Sequence, residues 1–219
     1  MMQWALLGLA ILFLIVAYII VQGTRAAMAW RKAAAAGDEK VIRDIVEDAL
    51  GAWRSVKRPK QVPSEVWRGV GSMQVVDVGA DFVRVSCQAE SEYQLHNGRW
   101  IEVRNPLQEG MAITAQAADM LLYELPHFRP ERIQIDVYTT YREADGATKR
   151  DCILSTATSR EVAKGVDWEE WTPEQIVEAL GGRYRLSGSG RPLPVRPAGT
   201  ASARSTAGNG RRAPIGRGP

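Results

Sequence analysis

The sequence predicts an α+β protein with one N-terminal transmembrane helix, a single domain and a disordered C-terminal tail. In the domain, helices cover a mainly antiparallel sheet of about five strands. Three observations lead to this prediction: an apolar segment opens the chain, segments of helical periodicity alternate with segments of period two, and the last residues lack large apolar side chains. The 219 residues, 24% of them charged, suit one globular domain with short accessory segments.

The transmembrane prediction concerns residues 1–24. Trp4 to Val21 form a run of 18 residues without a charge, and twelve of them are Leu, Ile, Val or Phe. At a rise of ~1.5 Å per residue, this run covers about 27 Å as a helix and nearly spans the core of a bilayer. A cleaved signal peptide is the alternative, but it would begin with basic residues, and Met1 to Gln3 carry none.

The charges that follow this segment predict its orientation. Arg25, Arg31 and Lys32 lie just after the apolar run, and the positive-inside rule places such residues in the cytoplasm. We therefore expect a single-pass protein of the cell membrane with its N-terminus outside and its domain in the cytoplasm. The reversed topology is the alternative, in which Cys87 and Cys152 could form a disulfide; otherwise each is expected to be a small core residue.

Helical periodicity begins again after the membrane segment. Residues 25–37 are predicted to continue the helix as far as Gly37, and the domain is predicted to occupy residues 38–185. Asp38 is a candidate N-cap for the next helix. The apolar side chains of that helix share one face, which either packs on the domain's own sheet, as we expect, or binds a partner helix: Val41, Ile42, Ile45, Val46, Ala49, Leu50 and Trp53.

The rest of the domain alternates between strand and helix signals. Residues 57–63 are predicted to be a linker, and two proline-containing starts, at Asn105 and Thr172, predict further helices. The predicted strands are a meander of 73–78, 83–89 and 99–103 and a hairpin of 133–141 and 152–158, with turns at 79–81, 96–98 and 144–146.

The charge balance differs between the domain and the tail. Residues 186–219 contain six arginines and neither lysine nor acid, which leaves 22 basic against 25 acidic side chains in residues 1–185. The domain therefore has no overall attraction for phosphates, and we expect no specific nucleic-acid binding. Because the tail is rich in Gly, Ser, Pro, Ala, Thr and Arg, it is predicted to be disordered.

Motifs for catalysis are absent from the sequence. There is no phosphate-binding glycine loop, no HExxH and no GxSxG, and His96 and His127 are predicted to be surface or boundary residues. No cofactor or metal is expected. The alternative is a membrane-tethered, metal-dependent hydrolase whose ligands are carboxylates on predicted strands: Glu90, Glu92, Asp136 and Asp151.

Two segments are candidates for binding a protein partner. Trp168 and Trp171 can supply a large rigid contact area, although such residues also pin a terminal helix to the core. Arg191, Pro194 and Pro197 have the spacing of a polyproline ligand. The sequence thus favours a non-catalytic, membrane-anchored binding protein, an adaptor or assembly factor, whose basic tail provides a second contact.

Overall fold

The chain folds into a mixed sheet and a set of helices, which together form an α+β fold. The computed structural model describes residues 2–96, 99–142 and 148–198, with side chains in residues 12–91, 105–140 and 149–198. The helices are α1 (Met2–Ala35), α2 (Glu39–Ser55), α3 (Ser64–Gly71), α4 (Pro106–Asp119), α5 (Arg160–Ala163) and α6 (Pro173–Ala179), and a π-helical turn, Met120–Glu124, follows α4. The strands are β1 (Gln74–Gly79), β2 (Phe82–Gln88), β3 (Glu92–His96), β4 (Arg99–Arg104), β5 (Arg132–Arg142), β6 (Thr148–Ser159), β7 (Arg183–Leu186) and β8 (Pro192–Leu193).

Three helices begin at the residues that the sequence predicts. The side chains of Asp38 and Asn105 each accept two backbone N–H groups from the first turns of α2 and α4. Thr172 and Gln175 form the predicted capping box at the start of α6. Gly37 ends α1 at φ +79°, a left-handed conformation that glycine adopts without steric cost. Local sequence therefore determines these helix ends.

The main sheet is mixed rather than mainly antiparallel, which corrects the sequence prediction. Its six strands lie in the order β1-β2-β5-β6-β7-β8, and β2 pairs with β5 in parallel. The predicted meander is wrong in its third strand, because β4 pairs with β3 in a separate hairpin instead of continuing the sheet. The physical reason is α4, which carries the chain back across the sheet, and only such a crossover permits parallel pairing. The tips of this hairpin and of the β5–β6 hairpin, at 97–98 and 143–147, lie outside the described residues.

The two faces of the sheet differ in polarity. Helix α4 contacts β5 and β6, while α2 contacts β1, and both join the buried core. The side chains on the core-facing side of the central strands are apolar: Val83, Val85, Cys87, Ile133, Ile135 and Val137. Those on the opposite face are polar: Arg84, Ser86, Gln134, Asp136 and Ser155. The predicted packing of the apolar face of α2 within the domain is confirmed by five buried residues: Ile42, Ile45, Val46, Ala49 and Leu50.

Helix α3 is a short element that the sequence analysis did not predict. It follows the linker at residues 57–63 and packs against α4, where Gly69 permits a close approach. A Cβ atom on Gly69 would lie 2.1 Å from the Cδ1 atom of Ile113. Because α3 is only eight residues long, its periodicity is too brief to be read from sequence.

The first residues of the tail are ordered against the sheet, so the prediction of disorder from residue 186 is wrong for residues 186–198. The N–H of Val195 donates to the carbonyl of Cys152 at 2.8 Å, and the N–H of Ala198 donates to Ser155 Oγ at 2.9 Å. Disorder was predicted because this segment has few large apolar side chains. Backbone hydrogen bonds at the edge of the sheet can order such a segment without them. Residues 199–219 lie outside the described part of the chain.

Helix α1 extends from the domain as one continuous helix that includes the predicted juxtamembrane residues. Its end packs on α2 and buries Ala34, whereas its apolar residues from Leu12 onwards are exposed. In the described part of the chain, α1 has the length and hydropathy needed to cross a membrane, over Leu12–Ala35, and 0% of its most apolar window is buried. The same features occur in a signal sequence.

Candidate partner-binding surface

The two predicted partner-binding tryptophans lie on the loop between α5 and α6. Trp168 is half-buried against the core, and its ring meets that of Tyr123 edge to face, with centroids 6.1 Å apart and an interplanar angle of 81°. Trp171 is 38% exposed. The Asp167 carboxylate accepts backbone N–H groups two and three residues later, which fixes the turn that carries both tryptophans. One tryptophan thus anchors the loop while the other faces solvent.

Tyr123 joins this surface because α4 ends in a π-helical turn. The turn widens the helix at Met120–Glu124, and Tyr123 is 46% exposed directly after the buried Leu121 and Leu122. Arg160 stacks over the Tyr123 ring, 5.3 Å from its centroid, and donates hydrogen bonds to the carbonyls of Leu122 and Pro130. We refer to Tyr123, Trp168 and Trp171 as the aromatic surface. The periodicity of the sequence does not reveal this surface, because a single π-helical turn produces no recognisable spacing of residues.

Carboxylates are frequent in the two segments that carry the aromatic surface. Asp119 and Glu124 lie five residues apart on the π-helical end of α4; burial raises the pKa of both, and the charge of Asp119 raises that of Glu124 further. Residues 160–174 add five acidic side chains against two basic ones. One of those two bases, Lys164, is paired with Glu161 at 2.6 Å, and this hydrogen bond raises the lysine pKa. The surface therefore combines exposed aromatic rings with negative charge.

The predicted polyproline ligand lies along the edge of the sheet. Arg191 and Pro194 are exposed and Pro197 is half-buried, while the N–H of the intervening Val195 is hydrogen-bonded to β6. A groove that binds polyproline must surround the ligand on more than one side. Binding by such a groove would therefore require this segment to leave the sheet.

The described carboxylates of the alternative hydrolase, Glu90, Asp136 and Asp151, form no metal-binding group with one another. Among the described residues no group of three His, Cys, Asp or Glu side chains could hold a metal ion. Glu90 lies 3.6 Å from Arg68, and Asp151 lies 3.4 Å from Lys149. The side chain of Glu92 is outside the described set.

Asp136 instead forms the centre of a buried hydrogen-bond network on the polar face of the sheet. It is 0% exposed, and its Oδ2 atom accepts both Nε and Nη2 of Arg84 at 2.7 Å. Its Oδ1 atom accepts Ser155 Oγ at 2.6 Å and Gln134 Nε2 at 3.0 Å. Ser155 and Gln134 also bind the backbone of Ala198, at 2.9 and 2.8 Å. The network holds the C-terminal segment on the sheet and satisfies both carboxylate oxygens.

Glu109 is a buried acid that the sequence analysis did not single out. Its Oε1 atom accepts the backbone N–H of Glu90 at 3.4 Å and lies 3.6 Å from Arg68, while Oε2 has no hydrogen-bond partner among the described residues. Burial is the largest effect on this group and raises its pKa, although the backbone hydrogen bond and Arg68 act in the opposite direction. Its position in the first turn of α4, where acids are common, gave no signal of burial.

Cys87 and Cys152 are both free and buried, as expected of small core residues. They lie on β2 and β6, which are separated by β5, so about 10 Å of sheet lies between their backbones. This distance exceeds the reach of a disulfide. Burial, with a smaller contribution from the charge of Asp136, raises the pKa of each thiol to about 12. The disulfide considered for the reversed topology therefore does not fit this sheet.

Comparison with known proteins identifies no relative of this chain. No protein-family model, no curated protein and no solved structure matches it. Only the geometry of the chain itself therefore indicates a function.

Proposed function

We propose that the protein is a single-pass membrane protein whose cytoplasmic α+β domain binds a protein partner without catalysing a reaction. The observation that carries the proposal is the exposure of the apolar residues of α1. Phe13 and Leu14 are 72% and 66% exposed, whereas the core of the domain is closed without them. Leaving one such side chain in water rather than in an apolar environment costs about 1.5–3 kcal/mol, so a bilayer would stabilise this helix strongly.

The proposed orientation depends on the basic residues after the apolar run. Arg25, Arg31 and Lys32 are exposed on α1 before it reaches α2, so their charges can remain in the cytoplasmic headgroup layer. The domain, which begins at Asp38, then lies close to the cytoplasmic side of the membrane.

The aromatic surface is the proposed partner-binding site within the domain. Tyr and Trp are frequent at the centres of protein interfaces because they bury a large area with few rotatable bonds. The carboxylates around Tyr123, Trp168 and Trp171 favour a partner segment with basic residues next to apolar ones. In this proposal Trp171 provides the accessible anchor, and Trp168 and Tyr123 hold it in place. Arg191, Pro194 and Pro197 remain a proposed second contact.

Photo-crosslinking in intact membranes tests this proposal. A photoreactive amino acid at position 171 should give one discrete crosslinked protein, whereas the same amino acid at Val76, which is 44% exposed on β1, should not. The substitution Glu170→Lys, placed next to the photoreactive residue, should weaken crosslinking because it reverses a charge beside the site. Equal crosslinking at positions 171 and 76, or no effect of the charge reversal, would contradict the proposed surface.

A further inference from the structure

A groove lies where α1 meets the domain. It has a volume of about 380 Å³ and is open to solvent on one side. Its lining comes from three parts of the chain, namely α1, α2 and the loop after the π-helical turn: Gly23, Ala26, Ala27, Trp30, Ile45, Asp48, Pro126 and His127. On the α1 side the groove is lined by small residues and one tryptophan, and beyond it Ala34 is buried where α1 packs on α2.

The position of the groove along α1 places it at the membrane surface. Gly23 and Trp30, its first and last residues on α1, follow the end of the apolar run at Val21 by two and nine residues. At ~1.5 Å per residue they lie about 3 and 14 Å beyond that end. A headgroup layer occupies about 5–8 Å on each side of the hydrocarbon core. The lower part of the groove therefore faces the headgroups of the proposed bilayer.

The groove has an apolar floor and one acidic lining residue, and a basic side chain lies beside it. Ile45, Pro126 and the small residues of α1 supply the floor, and Asp48 lines the groove without an ion pair among the described residues. Arg31 is not part of the lining, but its Nε donates to Nδ1 of the lining residue His127 at 3.2 Å. The terminal nitrogens of this guanidinium have no partner in the described part of the chain, so they are available to bind an oxyanion.

The backbone at His127 is consistent with a role at this groove. His127 has φ +62°, the one positive φ of a non-glycine residue in the described chain. Such a conformation is costly for a side chain other than glycine and occurs often at ligand sites. The His127 imidazole accepts the hydrogen bond from Arg31, and this contact holds the guanidinium next to the groove.

We propose that the groove binds one membrane phospholipid with an ammonium headgroup. The lipid phosphate accepts hydrogen bonds from Arg31, the ammonium group lies near Asp48, and the glycerol region covers the apolar floor beside Ala26 and Ala27. Phosphate and ammonium are the charges that a zwitterionic headgroup carries, and the groove offers their complements. The inference depends on the proposed membrane insertion of α1.

The test uses the full chain in bilayer discs of equal parts ethanolamine and choline phospholipid, followed by mass spectrometry of the lipid retained after transfer to detergent. Wild-type protein should retain one ethanolamine phospholipid in preference to the choline lipid, because a primary ammonium donates hydrogen bonds to a carboxylate. Asp48→Asn should reduce this preference by about threefold, the value of one exposed ion pair.

Two variants separate the groove from general lipid binding. Ala26→Leu fills the floor and should abolish retention, while Ala29→Leu adds the same side chain on α1 outside the groove lining and should retain lipid as wild type does. Equal retention by both variants, or retention without headgroup preference, overturns the inference. If the protein enters the discs but retains no lipid, only the groove inference fails; if it does not enter them, the proposed membrane anchoring fails as well.

Discussion

The network around Asp136 gives a direct test of what holds the domain and its C-terminal segment together. Two Arg–Asp pairs connect neighbouring parts of the chain to β5. Arg84 of β2 pairs with Asp136 of β5, and Asp81, in the turn before β2, pairs with Arg132 of β5. The side chains of Arg84 and Asp136 are 16% and 0% exposed, and Nε and Nη2 of Arg84 both lie 2.7 Å from Oδ2 of Asp136. The side chains of Arg132 and Asp81 are 44% and 50% exposed. The pairs share the same chemistry and differ in burial. Substitution of each aspartate by asparagine therefore compares a buried pair, whose aspartate also accepts hydrogen bonds from Ser155 and Gln134, with an exposed pair.

Asp136→Asn should be far more destabilising than Asp81→Asn. Removing one partner of a buried ion pair costs about 3–5 kcal/mol, and the lower end applies here because Arg84 keeps some contact with water. An exposed pair contributes only about 0.2–1 kcal/mol. Urea unfolding of the full chain in mild detergent, followed by tryptophan fluorescence, measures both values. Equal losses in the two variants would refute the reasoning, since burial would then have no effect.

The same variants report on the C-terminal segment. Asp136 accepts a hydrogen bond from Ser155, whose Oγ accepts the N–H of Ala198. Asp136→Asn should therefore increase hydrogen exchange at the amides of Val195 and Ala198, and Asp81→Asn should not. Unchanged exchange in Asp136→Asn would show that the segment is held independently of the network.

Three further predictions concern the domain. Because the pKa of Glu109 in the folded protein is raised above 4.5, its ionisation destabilises the fold as the pH rises from about 4.5 through that raised pKa. Glu109→Gln should remove this part of the pH dependence of the free energy of unfolding. An unchanged pH profile of unfolding would contradict the raised pKa. Gly69→Ala should destabilise the folded protein by about 1–3 kcal/mol, because the added Cβ overlaps with Ile113. Gly71→Ala, whose Cβ meets nothing within 4 Å, should be neutral or stabilising by up to about 1 kcal/mol. Thermal unfolding of the two variants measures the difference. The two buried thiols should react with maleimide in denaturant only, and rapid labelling of the native protein would contradict their burial.

Local signals in the sequence were sufficient for the starts of three helices, α2, α4 and α6. Caps at Asp38, Asn105 and Thr172 were predicted because each is a contact between a side chain and backbone groups within three residues. The apolar stripe of α2 was likewise visible in its period. The parallel pairing of β2 with β5 was not visible in the sequence. It depends on where α4 carries the chain across the sheet, and no residue of β2 indicates that position.

The candidate sites were only partly predictable for the same reason. Trp168 and Trp171 were visible because large aromatic residues occur close together in an acidic segment. Tyr123 became part of that surface through the π-helical turn, and the groove beside α1 is lined by residues almost a hundred positions apart, such as Trp30 and His127. Neither arrangement leaves a short-range pattern in sequence.

The most direct test of the proposed function measures membrane integration and the location of the domain together. Lys57→Cys adds a thiol to the exposed loop after α2, and the buried native thiols should not compete for reagent in the folded protein. In right-side-out vesicles, the proposal predicts that the chain resists alkaline extraction and that an impermeant maleimide labels Cys at this position only after the vesicles are opened. Release by alkali, or labelling in sealed vesicles, would contradict the proposed anchor or the cytoplasmic position of the domain, respectively.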